Sequence, residues 1–127
     1  DDFVILHESP AWLNEAHDKI KAWLPATLNA NLNDSKTILQ PVARGVDFVG
    51  HVIKPWHTAT RKRTVNVAIE RCRHAPQQDF YTTANSYFGL FGQSNSSHQH
   101  RAELAKIALL RGYSVNRDLT KIYRKAA

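Results

Sequence analysis

Residues 35–55 read SKTILQPVARGVDFVGHVIKP, and the fold of the chain turns on how they are taken. Two β-rich runs, KTILQPV (36–42) and VDFVGHVI (46–53), flank a short ARG containing a glycine. That pattern predicts a β-hairpin. Pro41 has no N–H to give a ladder, so it belongs at an edge or a bulge. Gly50 inside the second run predicts a bulge or a close backbone approach.

Upstream, Asp2 to His7 (DFVILH) is short, apolar and β-branched, as a buried strand would be. ESP ends it, with Ser9 suited to a helix N-cap and Pro10 to the first turn. Trp12, Leu13, Ala16, Ile20, Trp23 and Leu24 then recur at helical spacing. NANLNDS (29–35) is turn-rich. Downstream, KPWHTAT (54–60) reads as a connector, and the remainder as helices. Val65, Ala68, Ile69 and Cys72 share one face near 61–74. Phe80, Ala84, Tyr87, Phe88 and Phe91 do so near 77–91. Ser97 opens a third segment with Ala102, Leu104, Ala105, Ala108 and Leu109, closed by Gly112. A last short helix is expected after Asn116, with Leu119, Ile122 and Tyr123 inside. The fold class is α+β: a small antiparallel sheet from strand, helix and hairpin, then a bundle of three to four helices. The domains divide as 1–55 and 56–127.

The chain has 127 residues, enough for one domain or two small subdomains with a core that needs no disulfide. The single cysteine has no partner in the chain, which suits a reducing, cytoplasmic setting. No apolar run is long enough to span a membrane, and no secretory leader is visible. There is no methionine, so the chain is expected to be a processed or excised piece.

The net charge of +6 is unevenly placed. Residues 1–53 carry −3, while 54–74 and 101–127 each carry +5. A basic C-terminal half is what a nucleic-acid binder needs, although a solvated basic face has the same composition. Arg61, Lys62 and Arg63 fall at a helix start, with Arg71 and Arg73 two turns on and Lys54 upstream; charges so spaced suit successive phosphates. Trp56 and His57 are suited to stacking on a base or sugar, or Trp56 to a core. Asp1 and Asp2 form a carboxylate pair of the kind that holds divalent metals for phosphoryl transfer, or equally a solvated terminus. No zinc pattern and no glycine-rich nucleotide loop occurs.

Taken in order, Asp1-Asp2, FVIL, the helix from Pro10, NDSKT (33–37), GVDFVG (45–50) and RKRT (61–64) resemble reverse transcriptases of bacterial retroelements, the group of retrons, group II introns and diversity-generating elements. Those read Tyr-x-Asp-Asp, an apolar strand, an amphipathic helix, N-P-x-K-T, a strand, G-x-x-F-L-G and a basic run. TTANSYFGLFGQSNSSHQHR (82–101) is similar to the family's thumb. Val49 stands for the commoner leucine and Asp34 for the usual proline. The resemblance implies that the chain starts inside the catalytic signature and holds the C-terminal part of a palm followed by a thumb.

It further implies Asp1 and Asp2 as metal-ligating and catalytic residues, and Lys36 beside the incoming triphosphate. Phe48, Val49 and Gly50 would grip the primer end, and Lys54, Arg61, Lys62, Arg63, Arg71 and Arg73 the template–primer backbone. Mg2+ would serve the intact parent enzyme, with none expected on this fragment. The fingers and an upstream catalytic aspartate are missing from the pattern, so the chain alone is expected to be inactive. The alternative is a stand-alone module of the same descent that binds nucleic acid or protein and catalyses nothing. An exposed DFVILH edge would favour a homodimer.

Overall fold

The computed structural model describes residues 2–126, which form two compact units dividing between Pro41 and Val42. The architecture is α+β, with four helices, a three-stranded antiparallel sheet and a separate two-stranded one among the described residues. No helix among them is long and apolar enough to cross a membrane.

The first unit is one helix with irregular flanks. α1 (Pro10–Leu28) starts as expected: the Ser9 hydroxyl accepts from the Trp12 amide at 3.2 Å, and Pro10 occupies the first turn. It runs through Pro25 and ends where Asn29 turns left-handed at φ 50°. None of its residues is buried. The strand expected over Asp2–His7 does not form, and Phe3 to Leu6 stay exposed. A β-branched run becomes a strand only when a neighbour supplies its ladder, and no described segment pairs with this one. The strand expected over KTILQPV is also absent. The Asn33 side chain accepts from the Ser35 amide at 3.1 Å, and Thr37 Oγ1 donates to Asn33 O at 2.9 Å, starting a 3-10 turn at Asp34–Lys36. This local bonding competes with extended pairing.

The second unit begins with a 3-10 turn (Val42–Arg44) and a meander of β1 (Val46–Phe48), β2 (His51–Lys54) and β3 (His57–Thr60). VDFVGHVI is therefore two strands rather than one. Val49 (φ 49°) and Gly50 (φ 83°) reverse the chain between Phe48 and His51, which pair directly. Positive φ at both central residues is the type I′ reversal, whose twist matches that of the strands. Glycine suits it, whereas the β-branched Val49 is under strain there. The expected connector holds a second reversal at Pro55-Trp56, after which β3 pairs back in register Lys54↔His57. The compact units thus divide at 41/42, and the boundary expected at 55/56 falls inside this hairpin. Gly45 is required: a Cβ there would meet Lys54 Cγ at 2.9 Å and Ile53 O at 3.2 Å.

α2 (Lys62–His74), α3 (Gln77–Gly92) and α4 (His98–Leu110) follow. The helical stripes read from the sequence bury as expected: Val65, Ala68, Ile69 and Cys72 from α2, Phe80, Ala84, Phe88 and Phe91 from α3, Leu104, Ala105 and Ala108 from α4. Leu109 lies outside the core. The final helix expected after Asn116 is a hairpin of β4 (Tyr113–Val115) and β5 (Ile122–Arg124). Asn116 Oδ1 accepts from the amides of Thr120 and Lys121, both at 2.9 Å, which closes the loop and stops a helix from starting. The Asn85 side chain accepts from the Ile122 amide at 2.9 Å and so fastens β5 to α3, with Ile122 fully buried.

Candidate nucleic-acid interface

The basic segment and the hairpin reading converge at the start of α2. The meander is held there by contacts from the end of α3. His51 is buried, with its ring nitrogens 3.1 Å from the carbonyl oxygens of Val49 and Leu90. A neutral imidazole has one N–H to donate, so it satisfies one of these carbonyls at a time. Asn95 Oδ1 accepts from the Thr58 amide at 2.8 Å, while the Asn95 amide donates to Thr58 O at 2.8 Å. Thr60 and Ser94 share a hydroxyl bond of 2.6 Å. The β1–β2 tip is then tied to α2, since the Arg61 amide donates to Gly50 O at 2.9 Å. Arg61 Nε lies 2.7 Å from Asp47 Oδ1, an ion pair in which the N–H is not aimed along the contact and is shielded from solvent.

Gly50, given to the primer grip, thus sits against α2: a Cβ there would come 3.4 Å from Thr64 Cγ2. Phe48 is half-buried in β1, and Val49 is exposed at the tip. Lys62 and Arg63 occupy the first turn of α2. Neither has a carboxylate within ion-pair distance among the described residues. The turn contains no acidic residue and no side-chain cap. The orphan amides of a helix start carry partial positive charge, so cationic side chains there repel them unless an anion lies nearby.

Arg71 joins this end of the molecule through Tyr87, donating from Nη1 to the phenol oxygen at 3.3 Å. Arg73 does not. It is 3.7 Å from Glu70 and 3.2 Å from Glu103, which neutralise it on the side facing α4. The six cations grouped by sequence therefore separate: Arg73 is compensated, Arg61 is half-engaged with Asp47, and Lys62 and Arg63 stand unpaired. Lys54 is exposed at the far end of β2, next to Trp56, which is 94% exposed at the β2–β3 reversal. Trp56 is not a core residue.

The catalytic assignments all fall in the first unit. Asp1 lies outside the described residues. Asp2 is exposed in irregular chain, and Lys36 is exposed at the end of its 3-10 turn. Among the described residues no group of three or more His, Cys, Asp or Glu is arranged to hold a metal. Burial pushes the Cys72 thiol up to about 11, with the Arg111 charge working against that shift, which favours the protonated thiol at neutral pH.

The sequence reading overlooked Asp47, His51, Tyr87 and Asn95 as parts of this site. Asp47 lies within GVDFVG, and Tyr87 and Asn95 within the segment 82–101, but no motif gave them these roles, which come from the elements that pack together. Comparison with known protein families, with curated proteins and with solved structures finds no match.

Proposed function

We propose that this chain is a palm and thumb part of an RNA-directed DNA polymerase of the retroelement kind, and that residues 42–127 contribute a grip on the template–primer backbone rather than chemistry. The observation that carries this reading is the pair of uncompensated cations, Lys62 and Arg63, at an uncapped helix start beside a hairpin tip. Point charges and forks presented this way suit phosphates without reading bases. A stand-alone nucleic-acid-binding module is the second reading. It is favoured by the containment of the whole patch in a unit with its own core.

The test is binding of an RNA–DNA duplex across a salt series, by fluorescence anisotropy. Lys62→Glu/Arg63→Glu is the variant, because Arg61 also holds Asp47 and its loss would disturb the hairpin. Each lost phosphate contact flattens the slope of log K against log salt by about one, so the double variant should lose about two. Unchanged low-salt affinity would leave these residues as a solvated face. Primer extension by the chain alone, with Mg2+ and nucleotides, is expected to stay at background; activity removed by Asp1→Ala would defeat the non-catalytic part of the reading.

A further inference from the structure

A cleft of about 210 Å3 opens between α2 and α3, lined by Arg61, Arg63, Thr64, Val67 and Tyr87. We propose that it is a seat for one phosphate of a nucleic-acid strand; this rests on the nucleic-acid reading above. The lining offers donors and no carboxylate. Arg63 supplies an uncompensated guanidinium fork, and Thr64 a hydroxyl. The Tyr87 oxygen already accepts from Arg71 Nη1 at 3.3 Å, which leaves its own O–H to donate. Arg71 thereby acts on the seat through Tyr87, keeping the phenol oriented. Val67 and the Tyr87 ring make an apolar wall fit for the edge of a sugar.

Size narrows the ligand. The volume is below the ~300–1,000 Å3 of pockets that enclose a drug-sized molecule, so it admits a phosphate with part of its ribose and leaves the base outside. A larger cleft of about 780 Å3, which Arg73, Glu103, Lys106 and Leu110 help to line, is the contrasting case. There Arg73 is already held by Glu70 and Glu103. In the small cleft Arg63 has no carboxylate within ion-pair distance among the described residues, and no carboxylate lines the cleft.

The chemistry makes the two side chains separable. Tyr87→Phe removes one neutral hydrogen bond, worth about 1 kcal/mol or about fivefold in affinity, and no charge. Arg63→Gln removes a charge as well. The experiment measures binding of a single-stranded RNA and an RNA–DNA duplex to the full chain over a salt series. Inorganic phosphate serves as competitor, and tyrosine ring signals are followed by NMR. Tyr87→Phe should weaken binding about fivefold at every salt concentration with the slope unchanged. Arg63→Gln should weaken it and flatten the slope by about one. Val67→Glu, at a half-exposed helix position where folding is tolerant, should weaken it most by placing a carboxylate in the cleft. Phosphate should shift the Tyr87 signal, identified by its loss in Tyr87→Phe, and compete with RNA. Equal, salt-steep binding by the parent, Tyr87→Phe and Val67→Glu would overturn the seat and leave the nucleic-acid reading standing. A Tyr87 shift with phosphate but no binding of either oligonucleotide would overturn both, leaving a small-anion site only.

Discussion

Arg111, just after α4, ties the end of that helix to α2 and α3, and removing it tests the bundle. Its Nη1 donates to Cys72 O at 3.0 Å and its Nη2 to Ala75 O, so one fork closes the C-terminal end of α2. The same guanidinium lies 4.5 Å from the centre of the fully buried Phe80 ring. Cys72 O is among the last four carbonyls of α2, which have no partner within the helix. Arg111→Leu would keep the apolar stem and leave these acceptors bare. Two charge-assisted bonds at ~1.5 kcal/mol each, with ~0.5–1 for the ring contact, give a loss of about 3–4 kcal/mol. A unit of this size is stable by roughly 4–13 kcal/mol, so the variant stays folded except at the bottom of that range, where the loss equals the whole stability. With a urea slope of ~1–1.5 kcal/mol/M, the midpoint should fall by roughly 2–4 M. Far-UV circular dichroism is the suitable probe, because Trp12, Trp23 and Trp56 are all exposed and report little on the core. Arg111→Lys, with one point charge and no fork, should recover less than half of the loss. A fall below ~0.5 M for Arg111→Leu, or full recovery by Arg111→Lys, would refute the argument.

Val49→Asn should raise stability by roughly 1 kcal/mol in the same urea assay, because asparagine tolerates the left-handed backbone that strains a β-branched residue. The Cys72 thiol, with its folded pKa raised from 9.0 to about 11, contributes stability that is complete below pH 9 and is lost as pH rises toward 11. Urea midpoints should therefore be flat below pH 9 and fall above it, and thiol alkylation at pH 8 should follow global unfolding. Asn85→Ala should free β5 first, seen as faster amide exchange at Ile122 than in α3. Self-association through the exposed Phe3–Leu6 run remains our proposal; light scattering should show a mass that rises with concentration and falls with Ile5→Lys, and a constant monomer would remove it.

The three helical stripes of residues 62–110 were legible because a period of 3.6 with large apolar side chains has one compact solution: the faces turn together and the core is their sum. Ser9 and Pro10 placed the start of α1 for the same local reason, a hydroxyl within reach of an orphan amide. The uncompensated cations at Lys62 and Arg63 could be suspected from their run. Their surroundings could not, since Asp47 in β1, which holds Arg61, and Tyr87 in α3 come from other elements. Strands were the weak point. DFVILH and KTILQPV have strand composition but pair with no strand among the described residues, whereas HTAT, part of the expected connector, becomes a strand because β2 lies beside it. The reversal at Val49-Gly50 and the exchange of a final helix for β4–β5 are likewise decided by packing. Asn85 accepts a bond from the Ile122 amide of β5, and Ile122 is buried in the core. Helix is written in the spacing of a segment's own residues; a strand exists only with its neighbour, and the neighbour is chosen by the tertiary structure.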